Sequence, residues 1–351
     1  MVSKILKNFV TILFFVIGFT LISESMANAE GDTCHRNADN KIVLDDTSDT
    51  PVSHDSGSTY DKDYCNEEPL NYKIKIFEAM VCSSDPYVAG TGDTGADPDF
   101  TSCTNFFTNT SGKDVVIQPN AKADLFDGSS VSLPIGTFPY SVIILSNELN
   151  IKHHETFIDT GGNDADIRGY KASGFSTGKT CYSHGKTTTY TGYASATVHG
   201  KTIIDPAAGT GSSLGLICTD SFDPDNPPSD YDYTTEIIDS IDATCDSSND
   251  CDTTFRPYIA YQNSSDINGR YAGVLVQDDG RTVGTNRNNS TRIAYLMNFN
   301  NSIEITEDIT NFEMQFNTKT SVSIDWGAAA SVTNIIKLGA DPFQVKYIVT
   351  N

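Results

Sequence analysis

Tryptophan occurs once in the 351 residues, at Trp326, and glutamate only 11 times against 35 aspartates. Cations are few: 23 Lys and Arg face 46 Asp and Glu, for a formal net charge of −23. A chain this poor in basic residues has no surface to neutralise phosphates, which argues against nucleic-acid binding and against docking on anionic lipid. Glutamate is a helix former, whereas Asp and the 39 Thr favour turns, caps and strands. No segment carries a helical stripe longer than about three turns. No repeat of fixed period is visible, which argues against a solenoid or propeller. A C-x-x-C pair is also missing, so neither a zinc ribbon nor a thioredoxin-like redox site finds support.

Lys4 and Lys7 precede an apolar run from Phe9 to Ile22, which gives way to Ser23-Glu24-Ser25-Met26 and then Ala27-Asn28-Ala29. A basic head, a short apolar stretch and an A-x-A site are the parts of a secretory signal peptide, expected over residues 1–29 with cleavage before Glu30. The run is shorter than the roughly 18 to 20 residues a spanning helix needs, so no membrane span is expected after signal removal. Gly18-Phe19-Thr20-Leu21-Ile22 resembles the processing site of a type IV pilin. In that family the long apolar helix follows the cut, whereas Ser23 to Asp32 is polar here. Cys34 follows Glu-Gly-Asp-Thr rather than the small apolar residues of a lipoprotein site.

The eight cysteines are Cys34, Cys65, Cys82, Cys103, Cys181, Cys218, Cys245 and Cys251. An even number in an exported chain points to disulfides. Spacing alone does not fix the pairing, but local geometry favours a sequential order: 34–65, 82–103, 181–218 and 245–251. Each closed loop would contribute about 2–4 kcal/mol by restricting the unfolded chain.

Residues 30–70 are acidic and read as a largely irregular, solvated segment tied down by Cys34 and Cys65. Strand signals begin where Tyr72, Ile74 and Ile76 alternate with Lys73 and Lys75. Short apolar or alternating segments then recur between Gly, Pro, Asn and Asp clusters, as in a sandwich or barrel. The fold class expected is all-β: two sandwich-like antiparallel domains over 71–160 and 180–351, joined by a Gly-rich polar stretch at 161–179, with disulfides and long acidic loops. Thr234–Ala243 and Ala328–Leu338 are the best short helix candidates, and the second reads equally well as strand.

Several motifs touch on chemistry. Asp93-Thr94-Gly95 and Asp159-Thr160-Gly161 resemble the active-site motif of aspartic proteases, where two aspartates share one proton. Phe157-Ile158 supplies the apolar strand this needs before Asp159, but Val88–Gly92 supplies none before Asp93, and turn chemistry explains both. Gly211-Ser212-Ser213-Leu214-Gly215 fits G-x-S-x-G without the strand-to-helix context of a nucleophile elbow. Thr177-Gly178-Lys179-Thr180 matches the end of a phosphate-binding loop, but Ser173 stands where its first glycine belongs. His153 and Glu155 share one face of an expected strand, too few ligands for a closed metal site. Asp223, Asp225, Asp230 and Asp232 alternate along a Pro-stiffened loop, a candidate calcium site of hard oxygen ligands without the glycine and glutamate of an EF-hand. Tyr231, Tyr233, Tyr258 and Tyr261 are candidates for an aromatic sugar platform, against the plainer reading as core filling.

The expected function is therefore a secreted, periplasmic or cell-surface protein with a structural or binding role, such as a component of an extracellular layer or appendage, or an adhesin-like module. No catalytic activity and no cofactor, calcium apart, are expected. The partner would be a protein or polysaccharide at the cell surface, with self-association a further option. The alternative is a secreted hydrolase acting on polysaccharide or protein through paired aspartates such as Asp93 and Asp159.

Overall fold

The computed structural model describes residues 33–45, 53–54, 64–119, 125, 132–159, 167–171, 174–189, 197–202, 215–241, 254–264, 268–309, 311–329, 332–340 and 343–350. Among these residues all regular structure is strand. The expected signal peptide and the Cys245–Cys251 pair lie outside them. Neither helix candidate is helical where it is described: the first begins as the strand Thr234–Ile237 and continues irregularly to 241, and the second falls on the strands Val322–Ala329 and Val332–Ala340, the alternative its pattern allowed. The cause is period-two packing of β-branched and apolar residues. Ile336, Leu338 and Ala340 enter the main core from one side of their strand, while Ile335 is buried on the other.

A nine-stranded sheet organises the chain. The Asn71–Cys82 strand pairs on one side with Cys103–Ile117. Its other side meets two partners in turn: Glu148–Lys152 at its beginning and Gly136–Ser146 along the rest. The sheet then forks. One branch continues through Arg292–Ile305, Gly269–Val276 and Tyr258–Ser264. The other adds Thr234–Ile237 and Thr187–Thr189. Strands from both expected domains thus share this sheet, and they do not segregate at 161–179, where Ile167–Lys171 and Gly174–Gly178 pair at the edge of a five-stranded sheet.

Both faces of this sheet are buried at its centre, which explains the unbroken apolar run Val142–Leu145. Ile143 and Leu145 face the main core, and Val142 and Ile144 face a second one. A register shift between Ile76 and Glu78 exchanges the faces of the Asn71–Cys82 strand. Tyr72, Ile74 and Ile76 therefore share the main core with Ala79 and Val81, while Met80 and Cys82 enter the other. Burial of each large apolar side chain is worth about 1.5–3 kcal/mol. Two five-stranded sheets and the ribbon of Asn311–Asn317 with Gln344–Thr350 cover the main core.

The described parts of the N-terminal segment are built into those covering sheets rather than solvated. Ile42–Asp45 runs parallel to His154–Asp159, and Tyr64–Glu67 pairs with Val322–Asp325. Ile42 and Leu44 are fully buried. The short run Ile42-Val43-Leu44 was the available signal, hidden among Asp, Ser and Thr. Three of the four expected disulfides are formed: Cys34–Cys65, Cys82–Cys103 and Cys181–Cys218. The last two join residues directly opposite one another in antiparallel strands.

Asn147 sits at the fork and is fully buried. Its Nδ2 donates to Ser290 O at 2.7 Å and to Ile238 O at 3.0 Å, and its own carbonyl accepts from Ile238 N. Its backbone N–H reaches Thr291 O. One residue thereby satisfies backbone groups beside both branches. Beside it, Arg287 Nε pairs with the buried Asp239 at 2.9 Å. Glu148 takes Lys201 Nζ at 2.5 Å on one oxygen, with His199 Nδ1 3.8 Å from the other. His199 and Gly200, at φ 50° and 72°, form the tight turn that brings Lys201 back. His199 and Lys201 together hold the Glu148 carboxyl down to about 2, against the cost of burial.

Asn147→Ala removes donors from two carbonyls and should cost about 2–4 kcal/mol in urea unfolding, far more than Ala at an exposed asparagine. Glu148 stays ionised in the fold down to about 2 but protonates near 4.5 when unfolded. Its contribution is therefore complete above about 4.5 and disappears as the pH falls towards 2. Thermal unfolding of Glu148→Gln should show a lower midpoint than wild type at pH 6, the two curves converging as pH approaches 2.

Candidate functional site

The second face of the nine-stranded sheet is covered largely by a loop, the segment closed by Cys82–Cys103. Tyr87 and Phe100 from this loop pack on the second core beside Tyr258, Tyr261 and Val283. Its aspartates hold it in place. Asp85 Oδ1 accepts from Tyr87 N at 2.9 Å and from Tyr261 Oη at 2.7 Å. Asp97 Oδ1 accepts from Val283 N at 2.7 Å, and Asp99 Oδ1 from Thr101 N at 2.9 Å. Tyr258 Oη donates to Gly92 O. Gly90 is required by close approach: a Cβ there would lie 2.4 Å from Thr94 O and 2.6 Å from the Tyr258 ring. These contacts are the physical reason for an Asp/Gly-rich loop.

Asp93 projects from the tip of a tight turn between Thr91 and Thr94, mostly exposed, with Arg256 Nε 3.2 Å away. Asp159 ends a strand whose Phe157 belongs to the main core, on the opposite side of the nine-stranded sheet. Phe157 and the loop that carries Asp93 thus pack on different faces of that sheet, whereas the shared-proton arrangement needs the two aspartates in contact; Thr160 and Gly161 lie outside the described residues. Gly211–Leu214 lies outside the described residues. In Thr177-Gly178-Lys179-Thr180, the Lys179 N–H that a phosphate would use donates instead to Asp220 Oδ1 at 3.1 Å.

The alternation expected of His153-His154-Glu155 is present. His153 Nε2 lies 3.0 Å from Glu155 Oε1 on the inner face, and His154 points to the outer one. The inner partner is Arg36, whose Nη1 and Nη2 bind the two Glu155 oxygens at 2.9 and 2.5 Å while its Nε reaches Glu67 at 3.1 Å. Burial pushes the Glu67 carboxyl up, whereas His153 and Arg36 keep that of Glu155 below its ordinary value despite burial. A clamp between the N-terminal segment and the His154–Asp159 strand occupies the place a metal would need.

Asp223, Asp225, Asp230 and Asp232 are all exposed. Asp223 Oδ1 accepts from Asp225 N, Asp230 Oδ1 from Tyr182 Oη at 3.0 Å, and Asp232 Oδ1 from Tyr233 N. Among the described residues no three His, Cys, Asp or Glu gather as metal ligands would. The loop is anchored by rings: Phe222 stacks on Tyr182 at 5.2 Å and lies 4.7 Å from His154, and Lys152 Nζ sits 4.4 Å over Tyr231. Burial and then Tyr233 push the Tyr231 hydroxyl up to about 12. The four candidate platform tyrosines fall into two separate places, Tyr231 and Tyr233 here and Tyr258 and Tyr261 against the Cys82–Cys103 loop.

A groove of about 370 Å³ opens beside that loop. Met80, Pro98, Phe100 and Cys103 form its apolar floor, and Asp99, Thr101, Asn105 and Arg281 its polar rim. The Arg281 guanidinium lies 4.9 Å over the Phe100 ring, with Nη2 2.7 Å from Glu78 Oε2; Asn105 Nδ2 donates to the same oxygen at 2.8 Å. Asp99 is fully exposed, and its bonds from Thr101 hold its carboxyl below the ordinary range. Sequence reasoning missed this site, because Arg281 lies far from the loop in the chain. The bracketing of a Gly/Asp loop by Cys82 and Cys103 was the only pointer.

No protein-family model, curated protein or solved structure matches the chain. Among the described residues no helix is long and apolar enough to cross a membrane.

Of the six described cysteines, only Cys103 is not buried. Attack by a thiolate requires access to a sulfur. Under native conditions a mild phosphine should therefore open Cys82–Cys103 well before the other two disulfides. Timed alkylation and peptide mass mapping would read the order, and simultaneous loss of all three would contradict it.

Proposed function

We propose that this chain is a secreted or cell-surface protein with a structural or binding role, an extracellular-layer, appendage or adhesin-like component without catalytic activity. The observation that carries the reading is the use made of the loop carboxylates. Asp85, Asp97 and Asp99 anchor backbone and tyrosine hydroxyls around a disulfide-closed loop, and Asp93 faces an arginine at a turn tip. Groups held in this way build a durable surface rather than a pair of carboxylates facing a cleft.

Disulfides that tie strand to strand are at home in an oxidising compartment, and the all-β architecture resists local opening through extensive non-local pairing. The N-terminal pattern of basic head, apolar stretch and A-x-A supplies an export route. The partner in this reading is a polysaccharide or protein of the cell surface.

Fractionation of the producing cell, followed by electron microscopy of the extracellular material, tests it. The protein should appear outside the cytosol, begin at Glu30 by mass spectrometry and show no titratable thiol before reduction. Recovery as an unprocessed, reduced cytosolic protein would overturn the proposal.

A further inference from the structure

We propose that segment 220–233 is an acid-sensitive strap: neutral His154 and His184 hold it closed over Tyr182, and their protonation releases it while the sheets stay folded. The inference goes beyond the surface role proposed above and does not depend on it. The strap contains no strand and is fastened at two places, largely by side chains. Near its start Phe222 stacks on the buried Tyr182, with ring centroids 5.2 Å apart, and meets the His154 ring at 4.7 Å. Near its end Tyr231 stands edge-on to both His154 and Tyr182, with its hydroxyl 3.2 Å from His154 Nδ1. His184 is buried at that end, where its backbone bridges to Tyr231 and its N–H donates to Thr234 Oγ1 at 3.2 Å. Asp232 N–H completes the closure by donating to Ser183 O.

Both imidazoles are set for the neutral form. Lys152 Nζ already sits 4.4 Å over Tyr231, so a charged His154 would bring a second cation against the same ring. His153 adjoins it in the chain, and the Glu155 carboxylate is held by Arg36 on the inner face. Facing His184 are Lys186 and, from the strap, Asp230, whose Oδ1 is engaged by Tyr182 Oη; the Asp232 carboxylate lies beside Gly185. Burial and then His153 keep His154 below its ordinary value. Burial and then Lys186 bring His184 down to about 4, against the pull of Asp230. Once the strap lifts, both rings meet water and titrate near 6.5. Below 6.5 the open form therefore binds more protons, so closure is fully favoured above that pH and weakens as the pH falls towards 4. Glu148, beside the fork of the sheet, keeps its charge down to about 2, so the sheet outlasts the strap.

Hydrogen–deuterium exchange of the full chain with its disulfides intact tests this, with labelling times scaled for the intrinsic pH dependence of exchange. Between pH 7 and pH 4.5 peptides covering Tyr231 and Asp232 should lose about tenfold or more of their protection, with the decline under way by about pH 5.5. Peptides from Asn71–Cys82 and Gly136–Ser146 should keep theirs. His154→Phe combined with His184→Gln removes both titrating rings and should leave the strap protected at pH 4.5, the sheet peptides at pH 7 reporting an intact fold. Should that variant not fold, the wild-type profile decides alone, since exposed aspartates titrate near about 3.9 and would act only below about pH 4.5. The proposal is overturned if strap protection is the same at pH 7 and 4.5, if it falls only below that range, if strap and sheets lose protection together, or if the folded double variant opens as wild type does.

Discussion

The forked sheet depends on the buried amide of Asn147. Two groups of strands part on one side of the Asn71–Cys82 strand, and the carbonyls of Ser290 and Ile238, just outside the strands, come together beside Asn147. A buried carbonyl without a donor costs about 1–3 kcal/mol. Asn147 supplies two donors from a short side chain, to Ser290 and Ile238, so the sheet divides without leaving these groups orphaned. The Arg287–Asp239 and Lys201–Glu148 pairs stand around it and tie in the adjacent segments.

Branching in turn creates two faces that both need covering. The main face is closed by other sheets, brought in by strands from the beginning and the end of the chain. Arg36, bridging Glu67 and Glu155, fastens the N-terminal contribution there. The second face is closed largely by a disulfide-bounded loop, which has no ladder of its own and relies on side chains. Aspartate suits that role because its short carboxylate reaches nearby backbone N–H groups. The aspartates of this loop thus serve its construction, and the candidate groove is a by-product of closing a sheet face with a loop in place of another sheet.

The class of the fold was legible in residue choice. Alternation at Tyr72, Ile74 and Ile76 marked a strand directly, and sequential pairing of nearby cysteines is what the three described bridges show. His153 and Glu155 were correctly placed on one face, yet their partner Arg36 lies more than a hundred residues earlier and carried no mark of its role. A short apolar pattern fits either period, so Ala328–Leu338 read as helix or strand and Thr234–Ala243 as helix; neighbouring strands drew the described part of the one and the start of the other into sheets.

The sequence by itself determined the chemistry of the parts: β-branched and aromatic residues for strands, Asp and Gly for turns, cysteines for clips, and a strong excess of acidic over basic residues. Those are local properties, set by each residue's own backbone preference and charge. Tertiary structure decided which strands became neighbours, that segments on either side of 161–179 would share one sheet, and that Met80, Asp99, Asn105 and Arg281 would line one groove. Long-range pairing depends on satisfying every buried backbone group and both apolar faces at once, a condition that no stretch of residues expresses alone.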